Sequence, residues 1–386
     1  KHFPSEIPVT DQVRLEAALR NGLEAVYSAL REFRDFINER YLPACSTSIG
    51  SSKLPDGDAY YAFMVRDQTT TSMTPKAIHD LGLSEVARIR KEMDEIIRKV
   101  QFKGSFQEFL AFLRSDPRFY YTKAEDLGNG YREIAKRINS AVPRFFAEFP
   151  RTPFEIREIP ASQSVAAPAA YFRGGAGGGS NGGTFWYNAY KLESRPIFEM
   201  EATCLHEGAP GHIFAAARGR ELKGIPSFRI LAGYNAASEG WALYAESLGL
   251  EMGLYQDPYS HFGKCSVEML RACRLVIDTG IHAFGWSRQQ AIDYLKSNTA
   301  VSEHEIGTEI DRYIVNPGQA LGYKIGELKI QELRAWAKNR LGTRFDIRTF
   351  HNAVLDNGSL PLMVLEKQIH AWVEQQLSKP LPRSTP

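Results

Sequence analysis

The sequence predicts a mainly α protein, a large helical domain with a small β-sheet. Apolar residues recur at three- and four-residue spacing along most of the 386-residue chain. Helix start signals recur with them: Thr74-Pro75, Ser105-x-x-Glu108, Thr122-x-x-Glu125, Ser287-x-x-Gln290 and Ser302-x-x-Glu305. Strand patterns concentrate between Phe154 and Asn188.

A chain with 43% hydrophobic and 24% charged residues has the composition of a soluble globular protein. Neither an internal repeat nor an obvious linker divides it, so residues 1–386 are read as one α-rich catalytic unit, or as two lobes of about 1–150 and 151–386. The net charge of +2, without a dense run of Lys or Arg among aromatics, argues against nucleic acid and anionic membranes as partners. No apolar stretch reaches the ~20 residues of a membrane helix. The chain opens Lys1-His2-Phe3-Pro4 without an initiator methionine, which fits removal of a signal peptide or propeptide and leaves an exported or periplasmic location open. Cys45, Cys204, Cys265 and Cys273 form no C-x-x-C and are too sparse for a disulfide scaffold or a cysteine zinc site, so most are expected as buried thiols.

Leu15, Leu19, Leu23, Val26, Tyr27, Leu30, Phe33 and Phe36 mark a long first helix. Tyr60 to Val65, after the turn Pro55-Asp56-Gly57-Asp58, reads as an aromatic strand. Helices follow from Thr74, from Ser84 to about Val100, from Ser105 and from Thr122. Phe154 to Ile159 alternates apolar and charged residues, a half-buried strand. Ala169 to Arg173 and Thr184 to Asn188 are further strands. Between them, seven of the ten residues from Gly174 to Gly183 are glycine, the composition of a mobile hairpin tip or of a flap hinged over a cleft. The rest is helical nearly to the end.

The segment Cys204-Leu-His206-Glu207-Gly-Ala-Pro210-Gly211-His212 carries the chemistry. The run Pro196 to Leu205, with Ser194 as N-cap, is helical, so His206 sits on a buried helix. The zinc pattern H-E-x-x-H places its histidines four apart on one helix face. Here the second histidine is His212, and six residues of regular helix leave two side chains roughly 120° apart. Sharing a metal therefore requires a kink or wide turn, which Pro210-Gly211 can supply. The alternative is a helix that ends there, with one histidine in the core and the other near a cap.

A catalytic zinc takes three protein ligands. Glu239 shares a helix face with Ala242 and Glu246. A carboxylate on a mostly apolar helix needs a partner, either an arginine or a metal. Glu239 is preferred as the third ligand and Glu246 as its outer support, and the two can exchange roles. In Asp311-Arg312-Tyr313 to Gly322-Tyr323, Tyr323 or Tyr313 can donate to an oxyanion and Arg312 can hold a substrate carboxylate. Aromatic core and a structural ion pair explain these residues equally well.

Together these segments resemble the bacterial domain-of-unknown-function family 885, regarded as zinc peptidases. The resemblance rests on His206-Glu207-Gly-Ala-Pro210-Gly211-His212, Glu239-Gly-Trp-Ala and Pro317-Gly-Gln-Ala-Leu-Gly-Tyr323. It extends to Leu54-Pro-Asp-Gly, Thr69-Thr-Thr and His351-Asn-Ala-Val-Leu-Asp-Asn-Gly-Ser-Leu-Pro-Leu. The family is similar in plan to angiotensin-converting enzyme and thimet oligopeptidase. That implies a metallopeptidase-like fold with a deep cleft, His206, His212 and Glu239 as ligands of one divalent ion, zinc, and Glu207 as general base. The chain departs from the family at Ile213, where a second histidine is usual, and at Gly208-Ala209, where Ala-Ile is common. Members are often longer at the N-terminus, which implies that part of one lobe is missing here.

The activity expected is hydrolysis of short peptides by metal-activated water, with Glu207 carrying the proton and Tyr323 or Tyr313 facing the oxyanion. The strand Thr184 to Asn188 would align the peptide by edge addition, with Tyr187 and Asn188 as its contacts. The alternatives are a metal-dependent hydrolase of a non-peptide amide or ester, and a non-catalytic peptide-binding protein in which Pro210-Gly211 has spoiled the zinc geometry.

Overall fold

The computed structural model describes residues 3–379, except 152, 166, 176–181, 227, 230 and 231. The glycine-rich tip thus lies largely outside the described residues. The chain forms two compact units, Lys1–Ile49 and Gly50–Pro386. In the first, α1 (Val9–Phe36) continues through Ile37–Tyr41 to Ala44. Its apolar stripe follows the expected spacing, and a single helix offers no second face to bury it against.

The second unit is helical around one small sheet. Its first helix is α2 (Gly57–Thr69), where a strand was expected. Tyr61, Val65 and Thr69, at i, i+4 and i+8, are its buried face, while Tyr60 and Phe63 are exposed. The aromatic run concealed a helical period. Next comes α3 (Pro75–Lys99), one continuous helix capped by Thr74. Ser84 starts nothing: its hydroxyl donates to the Leu81 carbonyl within that helix. α4 (Phe106–Ser115) has the full Ser105–Glu108 capping box. α5 (Ala124–Ala141) begins after Lys123 with no side-chain cap, so the Thr122 box does not form.

The sheet has the order β1-β3-β2, with β1 (Glu155–Glu158) parallel and β2 (Ala170–Gly174) antiparallel to β3 (Gly183–Tyr187). All three strands lie where the sequence placed them, β1 by its alternation. Because β3 is central, both its edges are already paired, and the expected peptide addition to Thr184–Asn188 is excluded. The edges of this sheet are β1 and β2.

After the sheet come α6 (Met200–Glu207), α7 (His212–Glu221), α8 (Asn235–Met252) and α9 (Pro258–His282). They are followed by α10 (Arg288–Asn298), α11 (Glu303–Val315), α12 (Gly322–Leu341), α13 (Ile347–Leu355) and α14 (Leu362–Ser378). Ser287 forms its box with Gln290; Ser302 caps through Glu305 N–H, while the Glu305 carboxylate points toward Arg195, 3.8 Å away.

α9 is the central pillar, buried almost throughout. α8 and α12 cross in backbone contact: a Cβ on Gly326 would stand 1.9 Å from the Ala236 carbonyl oxygen and 2.7 Å from Gly240 Cα. Such contact is open only to glycine. Gly326→Ala must push the helices apart, and urea titration should show a loss of about 1–3 kcal/mol, the range of overpacked cores. A midpoint equal to wild type would contradict this crossing.

Candidate metal centre

α6 enters through a tight turn at Ile197–Glu199. The chain is still extended at Pro196, so Ser194 caps nothing and its hydroxyl donates to the Lys191 carbonyl. The helix ends at Glu207, and His206 is buried, as expected. Gly208, a cis Ala209–Pro210 bond and Gly211 then reverse the chain over its last turn. A Cβ on Gly211 would lie 1.9 Å from the His206 carbonyl oxygen, which explains the glycine. The Trp241 indole N–H donates to the Pro210 carbonyl at 2.8 Å and pins the turn. His212 is therefore the first residue of a new helix, not a member of a kinked one. The turn brings the two imidazoles to 4.8 Å between centroids, nearly perpendicular at 87°.

α8 supplies two carboxylates from one face. Glu239 Oε2 lies 3.1 Å from His212 Nε2 and 3.5 Å from His206 Nε2. Glu246 Oε1 lies 2.7 Å from His206 Nδ1. In the neutral ring that a metal requires, Glu246 would hold the proton on Nδ1 and leave Nε2 facing Glu239. Burial opposes charge on His206, but the hydrogen bonds to Glu239 and Glu246 outweigh it and lift its pKa to about 10. Burial likewise opposes charge on Glu239, yet the two histidines hold its carboxyl well below the usual range.

The donor set fits a divalent ion. Bonds of 2.0–2.1 Å in a tetrahedral zinc site set neighbouring ligand atoms about 3.3 Å apart. The two separations from Glu239 Oε2, 3.1 and 3.5 Å, straddle that spacing. Glu207 stands beside this set, with one of its carboxylate oxygens and one ring nitrogen of each histidine all within 4.8 Å of one another. No hydrogen bond holds it among the described residues, and burial raises its pKa against the pull of His206 and His212. Of the three carboxylates near the histidines, Glu239 touches both rings, Glu246 holds His206 Nδ1, and Glu207 is the one left without a hydrogen bond among the described residues.

Tyr323 is brought to the site, its ring parallel to that of His206 at 6.4 Å and 12°. The Gln319 amide lies 3.4 Å from its hydroxyl, and the Arg274 guanidinium lies 4.3 Å over its ring. Tyr313 is committed elsewhere. Its hydroxyl accepts from Arg274 Nε at 2.8 Å and donates to Glu309, which removes it as a free oxyanion donor. Arg312 is bound to Glu309 at 3.1 Å and to Gln319 at 2.9 Å, so only its Nε is unpaired.

Two expected substrate contacts are structural. The Asn188 amide donates to the carbonyls of Ser164, Ala167 and Pro168, and its Oδ1 accepts from Tyr190 N–H. It is fully buried with its hydrogen-bonding capacity spent. Tyr187 is buried against Gly128 and Tyr131 on α5. Sequence reasoning missed Phe172 on β2, which stacks on His212 at 4.8 Å and 23°. It also missed Arg271, 3.8 Å from Glu246, and Arg274. Two arginines three apart inside the apolar run of α9 were a legible signal.

Cavities of about 890 and 530 Å³ are lined by residues other than His206, Glu207, His212 and Glu239. The first is lined by Phe119, Tyr121, Met200, Glu201 and Tyr259, the second by Phe154, Ile156, Ala209 and Ile213. Water reaches the centre at Glu239, whose side chain is 20% exposed. No helix among the described residues is long and apolar enough to cross a membrane.

The fold has counterparts in known structures. A presumptive lipoprotein of Colwellia psychrerythraea matches with a TM-score of 0.91 and 33% identity, over 96% of this chain and 64% of that one. A second presumptive lipoprotein of unknown function, from Shewanella oneidensis, matches with a TM-score of 0.69 and 18% identity, over 95% of this chain and 68% of that one. The chain therefore spans less than two thirds of the Colwellia protein. No curated protein matches it significantly. The sequence model of one bacterial family, of unknown function, matches residues 2–369, so the chain belongs to the DUF885 family.

Proposed function

We propose that this chain is a zinc-dependent hydrolase of short peptides, a metallopeptidase. The observation that carries the reading is the position of Glu239 Oε2, at ligand spacing from both His206 Nε2 and His212 Nε2, with the Glu207 carboxylate beside the two histidines. His206, His212 and Glu239 would hold the ion, and Glu246 orients His206 through Nδ1. A bound divalent ion supplies Lewis acidity, lowering the pKa of water and polarising a carbonyl.

The residues do the rest. Glu207 takes the proton from the attacking water on a carboxylate oxygen and returns it to the leaving amine. Tyr323, held against His206 and under Arg274, offers its hydroxyl to the carbonyl oxygen as negative charge develops there. β2, whose Phe172 stacks on His212, replaces β3 as the sheet edge nearest the centre for aligning an extended peptide. The description of the Colwellia protein as a presumptive lipoprotein supports an exported setting.

The reversal at Gly208–Gly211 favours this reading over a non-catalytic one in which Pro210-Gly211 spoils the site, because it sets the two imidazoles 4.8 Å apart. The test is elemental analysis of untagged protein prepared without chelators. His212→Ala should contain about one zinc fewer per chain than wild type. Equal zinc in both proteins would remove His212 from the site and the reading with it.

A further inference from the structure

We propose that Glu92, His261 and Cys265 form a second divalent-cation site, thiolate-containing and separate from the His206–His212 centre. Four-residue spacing sets His261 and Cys265 on one face of α9, and α3, packed along that face, brings Glu92 to them. His261 Nε2 lies 3.0 Å from Glu92 Oε1, and one ligand atom from each of the three residues lies within 4.8 Å of the other two. The proposal does not depend on the function of the first centre, with which it shares no residue.

The arrangement has the form of an open three-ligand site. Cys265 is fully buried and forms the floor. Glu92 and His261, with 29% and 26% of their side chains exposed, form a rim that water can reach, leaving a fourth position for solvent. The nearby cations are anchored on other carboxylates, and Arg88 also pairs with Glu92 through Oε2. Lys264 donates to Glu268 at 2.6 Å, and Arg88, which binds Glu85 and Glu268, stands 3.8 Å from Glu92 Oε2, the oxygen turned away from His261. A cation approaching Glu92 Oε1, His261 Nε2 and Cys265 Sγ meets three donors and no bound cation among them.

One sulfur, one imidazole nitrogen and one carboxylate oxygen suit zinc or a metal of similar softness, and not magnesium or calcium. Binding breaks the Cys265 S–H bond, releases that proton to solvent and forms a sulfur–metal bond. Glu92 and the thiolate then balance the charge of a divalent ion over a neutral His261. The same burial argues against Cys265 as a catalytic nucleophile, because it disfavours a free thiolate and closes the sulfur to substrates.

Cobalt(II) titration of the full chain reads the site directly, since a thiolate ligand gives a near-ultraviolet charge-transfer band that histidine and carboxylate ligands do not. Wild type should show the band; Cys265→Ser should lose it together with about one equivalent of cobalt. His212→Ala should retain it, which separates failure of this site from failure of the first. Because Cys265 lies in the core, Glu92→Gln at the rim provides a second variant, expected to weaken the band-forming binding about tenfold or more with unchanged thermal melting. Absence of the band in wild type, its persistence in Cys265→Ser, or undiminished affinity in Glu92→Gln would overturn the assignment.

Discussion

Glu207→Gln should keep the zinc content of wild type and lower kcat about 10²- to 10⁴-fold on a peptide that the wild-type chain cleaves, the range set by loss of a general base. Glutamine has nearly the same size and shape, and the glutamate it replaces makes no hydrogen bond among the described residues, so little folding energy is at stake. What disappears is the proton acceptor beside the two imidazoles. Burial raises the Glu207 pKa against the pull of His206 and His212, so its carboxylate is a stronger base than an exposed one. Elemental analysis and steady-state kinetics on the same preparation separate the possibilities. Zinc lost with activity would make Glu207 a ligand, and activity retained would end its role as base.

The largest stability effect is expected at Lys324. Its ammonium is fully buried, 2.7 Å from Glu268, 2.7 Å from Glu327 and 3.2 Å from Glu85. Burial disfavours its charge, but Glu327 and Glu268 outweigh this and raise its pKa. Lys324→Met keeps the length of the side chain and strands the carboxylates, a change that costs about 3–5 kcal/mol. Lys264 and Arg88 still serve Glu268, so Glu327 bears most of the loss.

The sign of the pH dependence follows. Burial already raises the Glu327 pKa, and removing Lys324 raises it further. The folded variant then holds a proton that the unfolded chain, with an ordinary glutamate, has released. Stability is greatest below the unfolded pKa and falls as pH rises toward the folded one. Denaturant titrations at pH 5 and pH 8 should therefore show the larger deficit at pH 8. Equal deficits, or a loss below about 1 kcal/mol, would mean that the network does not depend on Lys324.

Local signals were read well where the physics is local. The Ser105 and Ser287 capping boxes need only residues three apart, and all three strands were visible in the sequence, the first in alternation over a few positions. Reading failed where a local pattern had two solutions. Tyr60 to Val65 fits a strand by composition, and only packing on Tyr61, Val65 and Thr69 selects the helix. Thr122 could cap, but the helix starts one residue later than that requires. Asn188 follows a strand, as a peptide-binding asparagine would, yet three backbone carbonyls of the preceding loop claim its amide.

The sequence by itself determined the mainly helical class, the place of the sheet and the short set His206, Glu207, His212, Glu239 and Glu246, because burying imidazole and carboxylate on apolar helices demands partners. Only the tertiary structure decided how that set divides. A spacing of six residues leaves the imidazoles on different helix faces until Gly211 closes against the His206 carbonyl. Glu239 and Glu246 are two turns apart on the same face of α8, so spacing could not rank them. Their roles depend on where α6 lies against that face, with Glu239 reaching both Nε2 atoms and Glu246 reaching Nδ1. The partnership of Glu92 with His261 and Cys265 likewise joins positions far apart in the chain, and only the packing of α3 on α9 brings them together.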